Sequence, residues 1–118
     1  MSPRLFLSTC IAITFFFAAN TFAQTYPNKP IRIIVPFGTG GPDSLARMLG
    51  AQLTVQMGQS FIIDNKPGAN GILGAEALSK AAPDGYTLMI TSSGFATSPG
   101  MYKKLPYDTE KDILPVTN

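Results

Sequence analysis

The residues of this chain with chemistry to offer are glycines and hydroxyls rather than acid–base pairs. Val35-Pro36-Phe37-Gly38-Thr39-Gly40-Gly41-Pro42-Asp43 follows an apolar run and precedes a helical pattern, so it reads as a strand-to-helix turn. Glycine there leaves peptide N–H groups uncovered beside a helix start, an arrangement that suits an anion. A second turn, Asp64-Asn65-Lys66-Pro67-Gly68-Ala69-Asn70-Gly71, and a hydroxyl-rich stretch, Thr91 to Gly100, repeat the theme. Hydroxyls donate to an anion without bringing charge of their own. The plainer reading of each stretch, a tight connection or a solvated loop, has the same composition.

Two sharper readings fail on the residues themselves. A dinucleotide-binding turn needs glycine at its first, third and sixth places, and after Gly38 and Gly40 the sixth place is Asp43. A phosphate-binding P-loop ends in Gly-Lys-Ser/Thr, and there is no lysine between Lys29 and Lys66.

Residues 24–118 contain neither cysteine nor histidine. A disulfide, a Cys/His metal site and any Ser-His or Cys-His catalytic pair are therefore absent from that stretch, and no cofactor is implied. A small α/β hydrolase-like enzyme built on Ser93 or Asp43 would lack an evident general base. The 118-residue chain carries 9 basic and 7 acidic side chains, a balance that points to neither nucleic acid nor an anionic membrane.

The N-terminus reads as an address. Arg4 is the lone charge ahead of the apolar run Leu5–Ala19, and Thr21-Phe22-Ala23 is a small-x-small cleavage site, so residues 1–23 are expected to be a signal peptide cleaved between Ala23 and Gln24. Cys10 belongs to that segment. Export to the periplasm follows, and residues 24–118 remain as the folded part.

Within that part, Ile31–Val35 is a β-branched run that predicts the first strand. Leu45, Met48, Leu49, Leu53 and Met57 recur at spacings of three and four, predicting a helix capped by Asp43 or Ser44, stopped by Gly58, and packed on the sheet through that stripe. Arg47 falls on its solvated side. Phe61–Ile63 predicts a second strand, and Asn70 is a candidate cap for a helix running to Ala82 with Ala75, Leu78 and Ala82 inward. Gly68, Gly71 and Gly74 share one face there, which calls either for a closely packed backbone or for a ligand against exposed N–H groups. Tyr86–Ile90 predicts the third strand, residues 91–100 a loop, and Ile113–Val116 the start of a further extended segment.

The order β-α-β-α-β implies right-handed crossovers and a parallel sheet. The three loops then share the carboxyl edge, where open α/β sheets bind ligands. Lys66 is the single cation among residues 36–43, 64–70 and 91–98.

These motifs carry a resemblance. Tyr-Pro-x-x-Pro-Ile-Arg at 26–32, Val-Pro-Phe-x-x-Gly-Gly with a following Asp at 35–43, Asn-Lys-Pro-Gly-Ala-Asn-Gly-x-x-Gly-Ala at 65–75, Ala-Pro-Asp-Gly-Tyr-Thr-Leu at 82–88 and Lys-Leu-Pro-Tyr-Asp at 104–108 occur in that order. Together they resemble the Bug family of periplasmic solute receptors, which serve tripartite tricarboxylate transporters. The resemblance implies a non-enzymatic receptor: a hinged clamshell of the type II periplasmic-binding-protein kind that passes small carboxylated solutes to a membrane permease, with no stable oligomer expected. This chain corresponds to part of its first lobe, the second lobe being missing. Carried over residue by residue, Phe37, Thr39, Gly40, Gly41 and Asp43, then Gly68, Ala69, Asn70 and Gly71, then Ser92, Ser93 and Thr97 would line one wall of the cleft.

Two departures from the family pattern stand out. Only Pro42 separates Gly41 from Asp43, where the family usually has two residues, which is expected to turn the Asp43 carboxylate away from its usual position. The family chain is also considerably longer, so a truncation product without binding activity is the competing expectation.

Overall fold

The computed structural model describes residues 25–117, so the expected signal peptide lies outside the described residues. β1 (Ile31–Val35) is the central strand, paired in parallel with β2 (Phe61–Asn65) on one side and β3 (Thr87–Met89) on the other. Its β-branched side chains suit this place, because a strand between two neighbours and two covered faces is apolar throughout. Ile31, Ile33, Ile34 and Val35 are all essentially buried, each contributing about 1.5–3 kcal/mol by leaving water.

From β1 the chain moves to one side for β2 and then crosses back over β1 to β3. Right-handed crossovers in opposite directions place the intervening helices on opposite faces. α1 (Gly41–Met57) accordingly packs through Ala46 on Ile33 and Val35, whereas α2 (Ile72–Ser79) brings Gly74 against Ile34 and Pro36 on the other face. A second apolar cluster beside α2 joins Ile72 and Ala75 to Tyr107, Phe95 and Ile113, tying residues 102–113 to the sheet without a fourth strand. The extended segment expected at Ile113–Val116 is coil.

α1 departs from the expected packing. Leu45, Met48 and Leu49 face solvent, and the surface toward the sheet is Asp43, Ala46 and Gly50. Small residues let the helix come close: a Cβ on Gly50 would stand 3.3 Å from Phe61 Cβ and 3.4 Å from Ile63 Cδ1. The apolar contact is supplied by the strand side chains. The helix also starts earlier than expected, with Gly40 rather than Asp43 or Ser44 at the cap and Pro42 in the first turn, where a missing N–H costs nothing.

Further boundaries differ, and β3 is shorter than expected, with Tyr86 and Ile90 outside it. β2 extends through Asp64 and Asn65, which pair with Ile34 and Val35. Asn70 does not cap α2; it lies in a 3₁₀ turn (Ala69–Gly71), Gly71 takes the cap position, and α2 ends at Ser79, leaving Ala82 exposed. Residues 93–101 form a helix, α3 (Ser93–Met101), instead of a loop.

The two remaining motifs of the resemblance meet at the opposite, amino-terminal pole of the sheet. Tyr26 Oη donates to Gly85 O at 2.8 Å, the Asn28 N–H donates to Tyr86 Oη at 3.0 Å, and Lys29 pairs with Asp84 at 3.0 Å. Lys29 Nζ also lies 4.2 Å from the centre of the Tyr86 ring. This clasp fixes the entry to β1 on the turn before β3. Among the described residues no helix is long and apolar enough to cross a membrane.

Candidate functional site

At the carboxyl edge each strand feeds a helix N-terminus: β1 leads to α1, β2 through the 3₁₀ turn to α2, and β3 to α3. The opening N–H groups of a helix have no intrahelical partner and sit at the positive end of its dipole. Because residues 93–101 are helical and not the expected loop, α3 contributes a third such terminus.

The loops converge. A Cβ on Gly74 would meet Pro36 Cβ at 2.6 Å and one on Gly71 would meet it at 3.5 Å, so the second loop lies directly on the first. A Cβ on Gly94 would stand 3.6 Å from Ser92 Oγ and 4.0 Å from Asn70 Nδ2, so the second and third loops meet as well. The glycine face of 68–74 is thus explained by packing: Gly74 beneath Pro36, and Gly68 against Leu73.

Of the residues expected at the site, Thr39, Gly40 and Gly41 are exposed at the first loop, and a Cβ on Gly38, Gly40 or Gly41 would meet nothing within 4 Å. Phe37 is half-buried against the Ile33/Val35 cluster. Gly68, Ala69, Asn70 and Gly71 follow one another with positive φ, including 47° at Ala69 and 53° at Asn70. Two adjacent non-glycine residues in the left-handed region are costly, and their peptide planes are fixed in return. Ser92 and Ser93 are exposed at the start of α3. Thr97 is one turn farther along, where its Oγ1 donates to Gly94 O at 3.2 Å on its own helix.

Asp43 is placed differently. Its carboxylate is buried, accepting from Arg47 Nε at 3.0 Å and from Asn65 Nδ2 at 2.9 Å. Arg47 in turn donates to Asn65 Oδ1 at 3.3 Å, and Asn65 Nδ2 reaches Phe37 O at 3.2 Å. The Arg47 guanidinium and the Asn65 amide hold the Asp43 carboxyl below the usual carboxylate range. Neither Asn65 nor Arg47 was among the expected site residues. The spacing of Asp43 and Arg47, four residues apart on a helix, was the available signal.

The remaining charges near the edge are also paired. Arg32 on β1 donates through Nε and a terminal guanidinium nitrogen to Asp64 on β2, and Lys66 Nζ lies 3.8 Å from the same carboxylate. The edge therefore presents peptide N–H groups and hydroxyls. A separate open concavity of about 590 Å³ lies at the far end of α3, lined by Tyr102, Tyr107, Asp108 and Glu110 among others. Its carboxylates disfavour an anion there. Among the described residues no group of acidic, histidine or cysteine side chains is placed to hold a metal.

Comparison with known proteins places these features in a lineage. BugT of Bordetella pertussis is 41% identical over 103 residues, covering 85% of this chain and 32% of BugT. The solved structure of the periplasmic binding protein BugD superposes with a TM-score of 0.69 at 35% identity, covering 74% of this chain and 29% of BugD. MatC from Rhodopseudomonas palustris, solved with bound malate, gives a TM-score of 0.70 at 36% identity, covering 77% of this chain and 32% of MatC. The chain thus spans about a third of the length of these relatives. The family model for the tripartite tricarboxylate transporter family receptor matches residues 45–118. The chain belongs to that receptor family.

Proposed function

We propose that this chain forms one wall of an exported receptor that captures a small carboxylated metabolite and delivers it to the membrane permease of a tripartite tricarboxylate transporter. The observation that carries this reading is the convergence of three loops and three helix N-termini on one sheet edge, with Gly38, Gly40 and Gly41 open in front of them. Malate in the related MatC is a dicarboxylate of the matching chemistry. The ligand-facing groups are the first-loop residues Thr39, Gly40 and Gly41, the turn at Gly68–Gly71, and Ser92 and Ser93. Residues 1–23 serve as the signal peptide in this reading, so mass spectrometry of the exported chain is expected to find Gln24 at its start; a membrane-bound species retaining Met1 contradicts export by cleavage.

Backbone N–H groups at helix starts favour an anion without a buried counter-charge. A ligand held from one side is poorly enclosed, so affinity is low where a single wall acts alone. Calorimetric titration of residues 24–118 with malate, citrate and glutamate tests the reading. Saturable binding in the millimolar range is expected for at least one of them. Failure to bind any at tens of millimolar overturns a working carboxylate wall, and micromolar binding by a monomer overturns the one-wall account.

A further inference from the structure

We infer that Asn65 and Asp43 are positioning residues for the first loop rather than contacts for the solute. Asp43, Asn65 and Arg47 form a closed ring in which each side chain is hydrogen-bonded to the other two: 2.9 Å between Asn65 and Asp43, 3.0 Å between Arg47 and Asp43, 3.3 Å between Arg47 and Asn65. Both carboxylate oxygens of Asp43 have partners in this ring, and the group is buried. Buried beside the three loops, an uncompensated carboxylate would repel an anionic solute and carry a desolvation cost. The ring neutralises it.

Asn65 does a second thing. It is the last residue of β2, level with Val35, and its amide nitrogen reaches both Asp43 in the first turn of α1 and the Phe37 carbonyl two residues past the end of β1. One side chain therefore holds both ends of residues 38–42 on the strand beside them. No glycine of that segment packs against anything through the position of a Cβ. The orientation of the Gly40 and Gly41 N–H groups is thus set from the two ends, and only an amide in this place supplies two donors to two acceptors while accepting from Arg47.

This inference rests on the proposed carboxylate reading only for its consequence, since the ordering of the loop is measurable without solute. The charged neighbours of the ring are Asp43 and Arg47 from α1. On β2, Asp64 belongs to the opposite face, paired with Arg32, and Lys66 follows beside it.

The test is {1H}-15N heteronuclear NOE of the Gly38, Gly40 and Gly41 amides in residues 24–118, combined with a malate titration. In Asn65→Asp two carboxylates face each other, so at pH 7 the NOE of these three amides falls to coil values while those of Ile33 and Ile34 stay rigid, and malate affinity drops at least tenfold. Lowering the pH to 4 protonates one of the pair and, by returning a single O–H donor, raises the NOE partway. The exchange variant Asp43→Asn/Asn65→Asp returns one amide and one carboxylate to the ring but leaves the Phe37 carbonyl without its donor, so at pH 7 the NOE of Gly41 recovers while that of Gly38 stays low. Should Asn65→Asp not fold, Asp43→Asn alone carries the test: it weakens the Arg47 bond and lowers the NOE partway. A loop that stays ordered in every variant overturns the inference, as does loss of malate affinity with loop order intact, which would make Asn65 a solute contact. Absence of malate binding in the unaltered chain counts against the proposed function alone, because the NOE measurements still decide the positioning role.

Discussion

Gly74 lies beneath Pro36 so closely that a Cβ on it would stand 2.6 Å from Pro36 Cβ and 3.1 Å from Pro36 Cα. The first loop leaves β1 through Pro36, and Gly74 stands in the first turn of α2 just past the second loop, so this contact sets the distance between the two loops. Gly74→Ala is therefore expected to destabilise the fold by about 1–3 kcal/mol through overpacking, read from urea unfolding. Gly41→Ala, with nothing within 4 Å, is expected to leave stability within about 0.5 kcal/mol. Equal effects of the two would contradict the packing account.

Stability is expected to be flat between pH 5 and 8, because the chain contains no histidine. Below about pH 4 it falls. Asp43, Asp84 and Asp108 are each held below the ordinary value of 3.8, first by Arg47, by Lys29 and by the Glu110 N–H respectively. A depressed carboxyl contributes stability that is fully present above its unfolded pKa and is lost as pH falls through its folded value. The urea midpoint should thus hold to about pH 4 and decline below it. A decline that begins near pH 6 would contradict this assignment.

Tyr86→Phe removes the hydroxyl that accepts from the Asn28 N–H and donates to Asn28 Oδ1 at 2.9 Å. Because this clasp is at the pole opposite the three loops, the substitution is expected to cost about 0.5–1.5 kcal/mol of stability and to leave malate affinity unchanged. An affinity loss larger than the stability loss would place the clasp in the binding function.

The strands and their parallel pairing follow from features visible in the residues, since a β-branched run such as Ile31–Val35 has few other ways to bury itself, whereas the strand order came with the structure. Helix α1 was legible in extent but not in orientation. Its large side chains advertised a stripe at Leu45, Met48 and Leu49, whereas close approach to the sheet required the small Ala46 and Gly50. α3 was hidden by its composition, with Gly94, two serines and Pro99 giving little helical propensity. Convergence of the loops was readable from topology. The ring of Asp43, Asn65 and Arg47 was not, because Asn65 lies in the chain 22 residues from Asp43 and its role depends on β2 extending two residues beyond its apolar run.

Lys66→Met is expected to change malate affinity less than tenfold. The ammonium is partly exposed and 3.8 Å from Asp64, and an exposed ion pair is worth at most about 1 kcal/mol. Abolished binding in calorimetry would replace the backbone-held solute with a lysine–carboxylate pair.

In the proposed receptor, peptide N–H groups from three loops hold a carboxylate at the carboxyl edge of the sheet. Amide chemical-shift mapping of 15N-labelled residues 24–118 during a malate titration tests it most directly. Gly40, Gly41, Gly71 and Gly94 are expected to respond along one binding curve while Tyr102–Glu110 stay still. Shifts confined to Tyr102–Glu110, or none at the four glycines up to tens of millimolar malate, would contradict it.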